Sequence, residues 1–387
     1  MIRWLLATCL ICVIWGIVGC EKQSGSGSAT TIQIGHVASL TGDTATFGVS
    51  ADEGIKLAMD EVNAKGGVLG KKIEVLTEDD RSLGDEAKTA ASKLITRDKV
   101  VAILGEIASS RSIAMAPVCE DARIPMLSPG STNPKVTQGY DWVFRNCFID
   151  PFQGTAMANF AMNPPPDGLG LKRFAVLFPN NSDYGVGLKD FFIEAVKKRG
   201  GEIVAVEAYA EKTDTDFKAQ LTKIKATDPQ AIFVSGYYTE AGLIAKQARD
   251  LGITVPLMGG DGWDSDQTLK IGGAAVNGCY FSNHYSAEEQ RPAVKEFVDA
   301  YKKKYQGKVP DAMAILGYDA MRIMADAMTR AGGTDPEKIR TALAATKDFP
   351  GASGMTTINA QHNAEKPLVI LKIENGEFKY FTTVKPQ

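Results

Sequence analysis

Short polar and aromatic segments follow five of the apolar runs in the sequence, and their side chains could bind a small molecule. These segments are Glu106–Ser110, Ser128–Thr132, Asn180–Gly185, Ser235–Tyr238 and Gly259–Asp264. Ligands of open parallel sheets bind at the carboxyl ends of the strands. Hydroxyl groups, aromatic rings and a carboxylate are therefore expected at the same edge of both sheets, provided that the apolar runs are strands of two parallel sheets.

Taken singly, each of these residues also has a structural interpretation. Ser109 is a favourable N-cap residue, and Pro129–Thr132 has the composition of a turn. Asp261, between two glycines, is equally compatible with a turn carboxylate. The aromatic candidates are compatible with ordinary half-buried positions: Tyr184, Tyr237 and Trp263. A function therefore has to be argued from the whole set and not from one residue.

The sequence lacks the signatures of common enzymes and of nucleic-acid binders. It contains no G-x-S-x-G motif, no Walker A loop and no complete G-x-G-x-x-G, and the nearest match, Gly185-Val186-Gly187, has no third glycine. The three histidines, His36, His284 and His362, are not spaced as a metal pair. Basic residues total 43 against 46 acidic ones, a formal charge of -3 without the basic excess of nucleic-acid binders. We expect no catalysis, no cofactor, no metal and no nucleic-acid partner.

The first part of the 387-residue chain has the composition of an export signal. Arg3 precedes an apolar run, Trp4–Val18, that is too short for a comfortable membrane span. The run ends in Ile17-Val18-Gly19-Cys20, which resembles the lipobox of bacterial lipoproteins. This resemblance implies that residues 1–19 are a signal peptide and that Cys20 is acylated.

Residues 20–31 are polar and rich in glycine and serine, as in a flexible tether. The alternative to a lipoprotein is an ordinary signal peptide cut near Gly27-Ser28-Ala29, with Cys20 discarded. Either way the protein leaves the cytoplasm, and no later segment is apolar enough to cross a bilayer.

Three cysteines remain beyond Cys20, namely Cys119, Cys147 and Cys279. An odd number in an oxidising compartment permits one disulfide and one free thiol, with Cys119–Cys147 as the favoured pair. Three buried free thiols are the alternative.

Apolar strand-like runs alternate with amphipathic helical stretches in two series. The first series begins at Ile32–Val37 and continues with a helix of i, i+3, i+4, i+7 spacing from Ile55 to Val62. The second begins at Phe174–Phe178, after a Pro-rich stretch at residues 163–166. Continuous apolar runs are typical of strands buried on both faces, so the pattern predicts an α/β fold with two parallel-sheet lobes. A C-terminal hairpin with an Asn375-Gly376 turn is also expected.

Several segments together resemble the leucine/isoleucine/valine-binding family of periplasmic proteins, which serve ABC transporters. The matching segments are, in chain order, Ile34-Gly35, Leu40-Thr41-Gly42, Val62–Gly67, Asp79-Asp80, Ser109-Ser110, Leu127–Pro129, Thr132–Pro134, Asp183–Gly185 and Gly259–Gly262. They occur in a consistent order, and the resemblance runs from about residue 32 to the C-terminus.

The resemblance implies the type I periplasmic binding fold, in which two Rossmann-like lobes with parallel sheets are joined by three hinge strands and close on a ligand. The crossings are expected near Phe144–Asp150, Gly278–Ser282 and Gly351–Thr357. Lobe one would contain residues 32–147 and 282–353, including the helices between Pro292 and Ala345. Lobe two would contain residues 148–281 and 354–387.

For the site, the resemblance implies an amino acid held by its charged end groups. The hydroxyl and backbone N–H of Ser109, at a helix start, would bind the α-carboxylate. The Thr132 hydroxyl would bind the carboxylate or the ammonium, and the carbonyl of Gly130 would accept from the ammonium. Tyr237 and Asp261 would reach in from the second lobe, with Asp261 balancing the ammonium charge.

The resemblance also implies a pocket for the ligand side chain, formed by Phe47, Tyr184 and Trp263. Gly130 and Ser131 stand where the family often has alanines. Phe47 stands where a tyrosine is common, and Asp261 where several members have glutamate. Arg111 could favour an acidic ligand side chain, although an exposed helix position is the favoured interpretation.

These features lead to one functional prediction and one alternative. The prediction is a lipoprotein of the periplasm or cell surface, anchored through Cys20, that captures an amino acid in the interlobe cleft and delivers it to ABC permease subunits. The amino acid is expected to be branched-chain or otherwise apolar. The alternative is a sensing protein of the same fold that binds an amide, an aromatic acid or another small solute.

Overall fold

In the computed structural model, which describes residues 31–386, the chain forms two lobes, each built around its own main sheet. The predicted signal peptide, Cys20 and the tether lie outside the described residues, except for Thr31, which begins the first strand. Between residues 31 and 386, no helix combines the length and the apolar character needed to span a bilayer.

The first lobe has a five-stranded sheet in which all neighbouring strands are parallel, in the order β2-β1-β3-β4-β5. The elements are β1 (Thr31–Ala38), α1 (Ala45–Ala64), β2 (Lys72–Asp79), α2 (Gly84–Thr96), β3 (Ile103–Leu104), α3 (Ser109–Ala122), β4 (Met126–Ser128) and β5 (Val143–Arg145). Helices cover both faces of this sheet, so Ile103 packs in one core and Leu104 in the other. Burial on both faces explains why these strands are continuously apolar.

The second lobe has a seven-stranded sheet whose first five strands in the chain are mutually parallel. The elements are α4 (Asp150–Met162), β6 (Arg173–Pro179), α5 (Asp183–Lys198), β7 (Glu202–Tyr209), α6 (Lys218–Ala226), β8 (Ala231–Val234), α7 (Tyr238–Asp250), β9 (Leu257–Gly259), α8 (Asp266–Gly272) and β10 (Tyr280–Asn283). The carboxyl ends of β6, β8 and β9 therefore meet at one edge of the sheet, as the alternating pattern predicted.

The last part of the chain contributes to both lobes. Its elements are α9 (Pro292–Lys304), α10 (Ala312–Ala331), α11 (Pro336–Ala344), a small antiparallel sheet of β11 (Phe349–Gly351), β12 (Gly354–Ile358) and β13 (Ala364–Glu365), then β14 (Leu368–Glu374) and β15 (Glu377–Val384). The three helices pack in a first-lobe core. Strands β14 and β15 complete the second-lobe sheet as an antiparallel hairpin, in the order β15-β14-β10-β9-β8-β6-β7. The predicted hairpin is confirmed, and both Asn375 and Gly376 have the positive φ of its turn.

Local sequence determines how several elements near the cleft begin and how closely they pack. The Ser182 hydroxyl caps α5 by accepting from the Gly185 N–H at 3.4 Å, and the Asp311 carboxylate caps α10 by accepting from Ala314 at 3.0 Å. Helices α1 and α10 approach so closely that a Cβ on Gly54 would lie 1.9 Å from the carbonyl oxygen of Ala314. Glycine is therefore required at that crossing.

The chain passes between the lobes three times, and two passages lie later than predicted. The first, between β5 and α4, falls within the expected segment. The expected second crossing ends inside β10, which pairs with β9 and β14 in the second-lobe sheet, so the passage follows Asn283. The expected third crossing lies in β11 and β12, where Ile358 packs in a first-lobe core, so the passage lies between β12 and β14. The boundaries predicted at residues 281/282 and 353/354 therefore move toward the C-terminus.

The favoured Cys119–Cys147 disulfide is wrong. Within residues 31–386 the cysteines, Cys119, Cys147 and Cys279, are all free and buried. Cys119 and Cys147 pack in different apolar cores, and no disulfide joins them. Burial raises the pKa of both thiols to about 12, so they are protonated core residues.

Candidate functional site

A small cavity lies between the lobes at the carboxyl ends of their strands. The first lobe contributes side chains from α1, from the segments after β3 and β4, and from the start of α10. The second lobe contributes the start of α5 and the segments after β8 and β9. The lining residues are Phe47, Ile107, Ser109, Gly130, Thr132, Tyr184, Tyr237, Asp261, Gly262 and Met313. Seven of the nine residues predicted to bind ligand are therefore together.

Ser131 and Trp263 do not line the cavity. The Ser131 hydroxyl donates to the carbonyl of Glu106 at 2.9 Å, so this side chain supports the loop that carries the site. The Trp263 ring is fully buried in a different apolar core of the second lobe from the one that contains Tyr184 and Tyr237. There its Nε1–H donates to the carbonyl of Val234 at 3.2 Å, and the ring covers Gly259. Trp263 therefore lies apart from the seven predicted residues that surround the cavity.

Ser109 begins α3, and its neighbour Ala108 is the N-cap. The Ser109 hydroxyl accepts a hydrogen bond from the Asn133 N–H at 3.1 Å, which ties α3 to the segment after β4. The carboxylate of Glu106 accepts from the Ala108 N–H at 2.5 Å and from the Ser39 hydroxyl at 3.1 Å. These bonds fix the start of α3, where backbone N–H groups favour an anion.

Arg111 is buried and not exposed as expected. It is 4% exposed, its Nε lies 3.1 Å from a carboxylate oxygen of Glu106, and it donates to the Thr44 hydroxyl at 2.7 Å. The buried carboxyl of Asp80 lies 3.9 Å away. The positive charge of Arg111 is thus balanced inside the first lobe, and it is not available for an acidic ligand side chain.

Asp261 lies on the second-lobe wall of the cavity, and both its carboxylate oxygens and its backbone N–H form hydrogen bonds with buried side chains. Its Oδ1 accepts from the Tyr184 hydroxyl and its Oδ2 pairs with His284 Nε2, both at 2.9 Å. Its backbone N–H donates to the side chain of Gln153 at 2.8 Å. The carboxylate is 3% exposed, so its orientation is fixed in the folded protein.

Four residues of the site were not identified from sequence: Ile107, Gly262, Met313 and His284. Ile107 and Gly262 belong to segments that the strand-end argument selected, but neither has a side chain that suggests polar recognition. Met313 comes from α10, far along the chain, and nothing in its local sequence marks it. His284 directly follows β10, whose carboxyl end meets the same sheet edge as that of β9.

A second buried carboxyl, that of Asp150, lies at the start of α4 behind Asp261. Burial is the main cause that raises its pKa from 3.8 to about 8, and the nearby charge of Asp261 adds to the effect. Its Oδ1 accepts from the side-chain amide of Gln153 at 3.2 Å. Asp150 is therefore protonated at neutral pH in the folded protein.

Replacing Asp150 with asparagine is expected to stabilise the protein at alkaline pH. The folded protein keeps this proton from about pH 4 to about pH 8, where the unfolded chain has lost it, so this group lowers the stability of the wild type as the pH rises. Asparagine stays neutral, so its Tm relative to wild type should rise by about 2–4 °C between pH 5 and pH 8.5. Thermal unfolding without ligand checks this, with the exposed Asp190→Asn as control. Parallel pH curves for Asp150→Asn and wild type would contradict it.

Hydrogen bonds across the cleft hold the lobes closed over the cavity. The Tyr238 hydroxyl donates to the carbonyl of Asp43 at 2.6 Å, and the Asp183 N–H donates to the Ser110 hydroxyl at 3.0 Å. On the far side, the Ala312 N–H at the start of α10 donates to the Asp264 carboxylate at 2.6 Å. A ligand of the cavity could enter or leave only when these bonds break and the lobes separate.

The described part of the chain contains no group of histidine, cysteine, aspartate and glutamate side chains arranged to hold a metal ion. The cavity instead combines a helix start on one wall, a carboxylate on the other and apolar or aromatic side chains between them. The chemistry of this arrangement is complementary to a small molecule with separated negative and positive groups.

Comparison with known proteins agrees with this description. Residues 31–377 match the periplasmic binding protein family. The Leu/Ile/Val-binding protein BraC3 of Rhizobium johnstonii is 32% identical over 84% of this chain and 87% of its own length. The leucine binding protein LivK of Thermotoga maritima is 42% identical, with a TM-score of 0.87 over 92% of this chain and 99% of that one.

A further solved structure, the branched-chain amino acid transporter substrate binding protein LivJ of Streptococcus pneumoniae in complex with isoleucine, has 37% identity and a TM-score of 0.86. The structural match extends over 100% of that chain and 92% of this one. The type I periplasmic binding fold predicted from sequence is thereby confirmed. Members of this family are extracytoplasmic and bind solutes without transforming them. The chain belongs to the periplasmic binding protein family and is a binding protein, not an enzyme.

Proposed function

We propose that the chain captures an amino acid with an aliphatic side chain in the interlobe cavity and delivers it to an ABC permease. The protein would work at the periplasmic or outer cell surface, held by a lipid on Cys20. The observation that carries this proposal is the arrangement of the cavity, with an anion-binding helix start and a fixed carboxylate on opposite lobes.

The two walls of the cavity suit the end groups of an amino acid. The Ser109 hydroxyl and the N–H groups at the start of α3 would bind the α-carboxylate, helped by the Thr132 hydroxyl. Asp261 and the carbonyl of Gly130 would bind the α-ammonium. Because one wall comes from each lobe, a zwitterion would stabilise the closed arrangement by bridging them.

The remaining surface of the cavity suits an apolar side chain. Phe47, Ile107 and Met313 are apolar, and the stacked rings of Tyr184 and Tyr237, 5.1 Å apart, close the second-lobe side. Arg111 is paired with Glu106, so an acidic side chain would find no free cation there. The names of the relatives, leucine-binding and Leu/Ile/Val-binding, support the same ligand class.

Thermal unfolding of the purified protein against the twenty amino acids, simple amides and aromatic acids tests this proposal. A ligand at 100 times its Kd stabilises the folded state by about 2.7 kcal/mol, enough for a clear rise in Tm. We expect a rise with leucine, isoleucine or valine and none with aspartate or glutamate. A rise confined to aromatic acids or amides would contradict the proposed role of Asp261 and favour a sensing protein or a transporter component for another solute.

A further inference from the structure

His284 contacts the site from behind and does not line the cavity. Its Nε2 lies 2.9 Å from Oδ2 of Asp261, and both residues are almost completely buried. Tyr184 holds the other oxygen, so each oxygen of the Asp261 carboxylate has one side-chain partner. The Tyr184 hydroxyl also accepts from the Gly262 N–H at 3.1 Å, so Tyr184 helps to build the cavity wall as well as holding Asp261. His284 contacts Asp261 but forms no part of that wall.

We propose that His284 is a positioning residue that presents the Asp261 carboxylate, with its full negative charge, to the ammonium group of the ligand. This inference rests on the proposed function, because it assigns a role in binding the amino acid. It concerns a residue that makes no contact with the ligand itself.

The orientation of the His284 ring is set by the hinge. The ring stacks on Phe148, with centroids 3.9 Å apart and an angle of 19° between the planes. Phe148 belongs to the first passage between the lobes, and His284 begins the second. The backbone N–H of His284 also donates to the side-chain oxygen of Asn283, at the end of β10, at 2.9 Å. The imidazole therefore has one orientation before any ligand arrives.

The charge of the ring matters as much as its position. A carboxylate oxygen only accepts hydrogen bonds, so Nε2 carries the proton that faces Asp261. Burial is the main cause that lowers the pKa of His284, and the nearby charge of Lys366, in the third passage, lowers it further. The hydrogen bond to Asp261 and the charge of Asp261 raise this pKa, but the net shift is downward. The imidazole is therefore neutral at neutral pH.

Two neutral donors, Tyr184 and His284, thus fix the carboxylate without cancelling its charge. Lysine or arginine in place of His284 would form an ion pair with Asp261 and reduce its attraction for an ammonium group. Among the described residues, no lysine or arginine lies within ion-pair distance of Asp261, whose basic partner at that distance is His284. The negative charge is left for a cationic group in the cavity.

Calorimetric titration of two His284 variants with leucine tests the inference. His284→Leu removes the donor and is expected to weaken binding about tenfold. His284→Gln can place an amide N–H near the position of Nε2 and should bind within about threefold of wild type. The control is His362→Leu, since this ring also stacks on a phenylalanine, Phe144, at 4.1 Å but does not contact the site. The control should leave the affinity unchanged.

A double-mutant cycle separates positioning from a general structural effect. If His284 acts through Asp261, His284→Leu should change the affinity less than about twofold in an Asp261→Asn background. Equal losses in both backgrounds, or wild-type affinity of His284→Leu, would overturn the inference while leaving the proposed function intact. A wild-type protein that binds no amino acid would overturn both.

Discussion

Replacing Asp261 with alanine is expected to weaken amino-acid binding at least about a hundredfold. Among the cavity-lining residues that the structure describes, Asp261 is the only carboxylate. In the closed protein the ligand ammonium is removed from water, and without a carboxylate partner its charge would be buried and unpaired. The substitution also removes the acceptor of both Tyr184 and His284.

Titration calorimetry with leucine measures this effect, and Asp266→Ala is the matched control. Asp266 begins α8, five residues after Asp261, and its side chain is 63% exposed and pairs with Lys270 at the surface. We expect the control to keep its affinity, because exposed ion pairs contribute little. Near-wild-type affinity of the Asp261 variant would show that the ammonium is bound elsewhere or that the ligand has none.

Most site residues within each lobe could be located from the ends of the apolar runs, because the position of a strand end depends on topology alone. In a parallel sheet all carboxyl ends lie at one edge, whatever the side chains are. Ser109 and Thr132 follow β3 and β4 of the first-lobe sheet, so recognising those strands as apolar runs placed both residues at one edge. Asp261 follows β9 of the second-lobe sheet, and its position opposite them came from the family resemblance, because strand topology does not say how two lobes face each other. The same rule, applied to β10, would also have selected His284.

Which residues of each segment face the cavity could not be predicted from the sequence. Helices and strands have a fixed period that assigns a face to each side chain, but the segments after the strands do not. In the short 3₁₀ turn Asp261–Trp263, the first two residues line the cavity and the third packs against the opposite side of the sheet. Trp263 and Ser131 were assigned to the site because these segments have no regular period that would show which side chains point away from it.

Contacts between distant segments were the other part that sequence could not supply. Arg111 is buried because Glu106 and Asp80 come together behind it, and Asp80 follows a different strand. The disulfide prediction failed for the same reason, since cysteine number says nothing about which core each thiol occupies. Pairing and burial of this kind depend on how the helices pack on the sheets.

Replacing Gly130 with valine is expected to weaken leucine binding at least about thirtyfold. A Cβ at this position would lie 3.2 Å from Sδ of Met313 and 3.3 Å from a methyl group of Ile107, both of which line the apolar part of the cavity. The added methyl groups would occupy space that the ligand side chain needs. The carbonyl of residue 130, the expected acceptor for the ammonium, stays in place.

The ratio of the affinities for leucine and alanine shows whether the loss is steric, because alanine needs less of the apolar space. Calorimetry should therefore show a smaller loss for alanine than for leucine. Gly333→Val, at a glycine with no neighbouring atom within 4 Å of an added Cβ, is the control for the substitution itself. Equal losses for both ligands would mean that residue 130 acts on the end groups. Since Asp261→Ala should affect all amino acids alike, the two variants distinguish the part of the cavity that binds the ammonium from the part that selects the side chain.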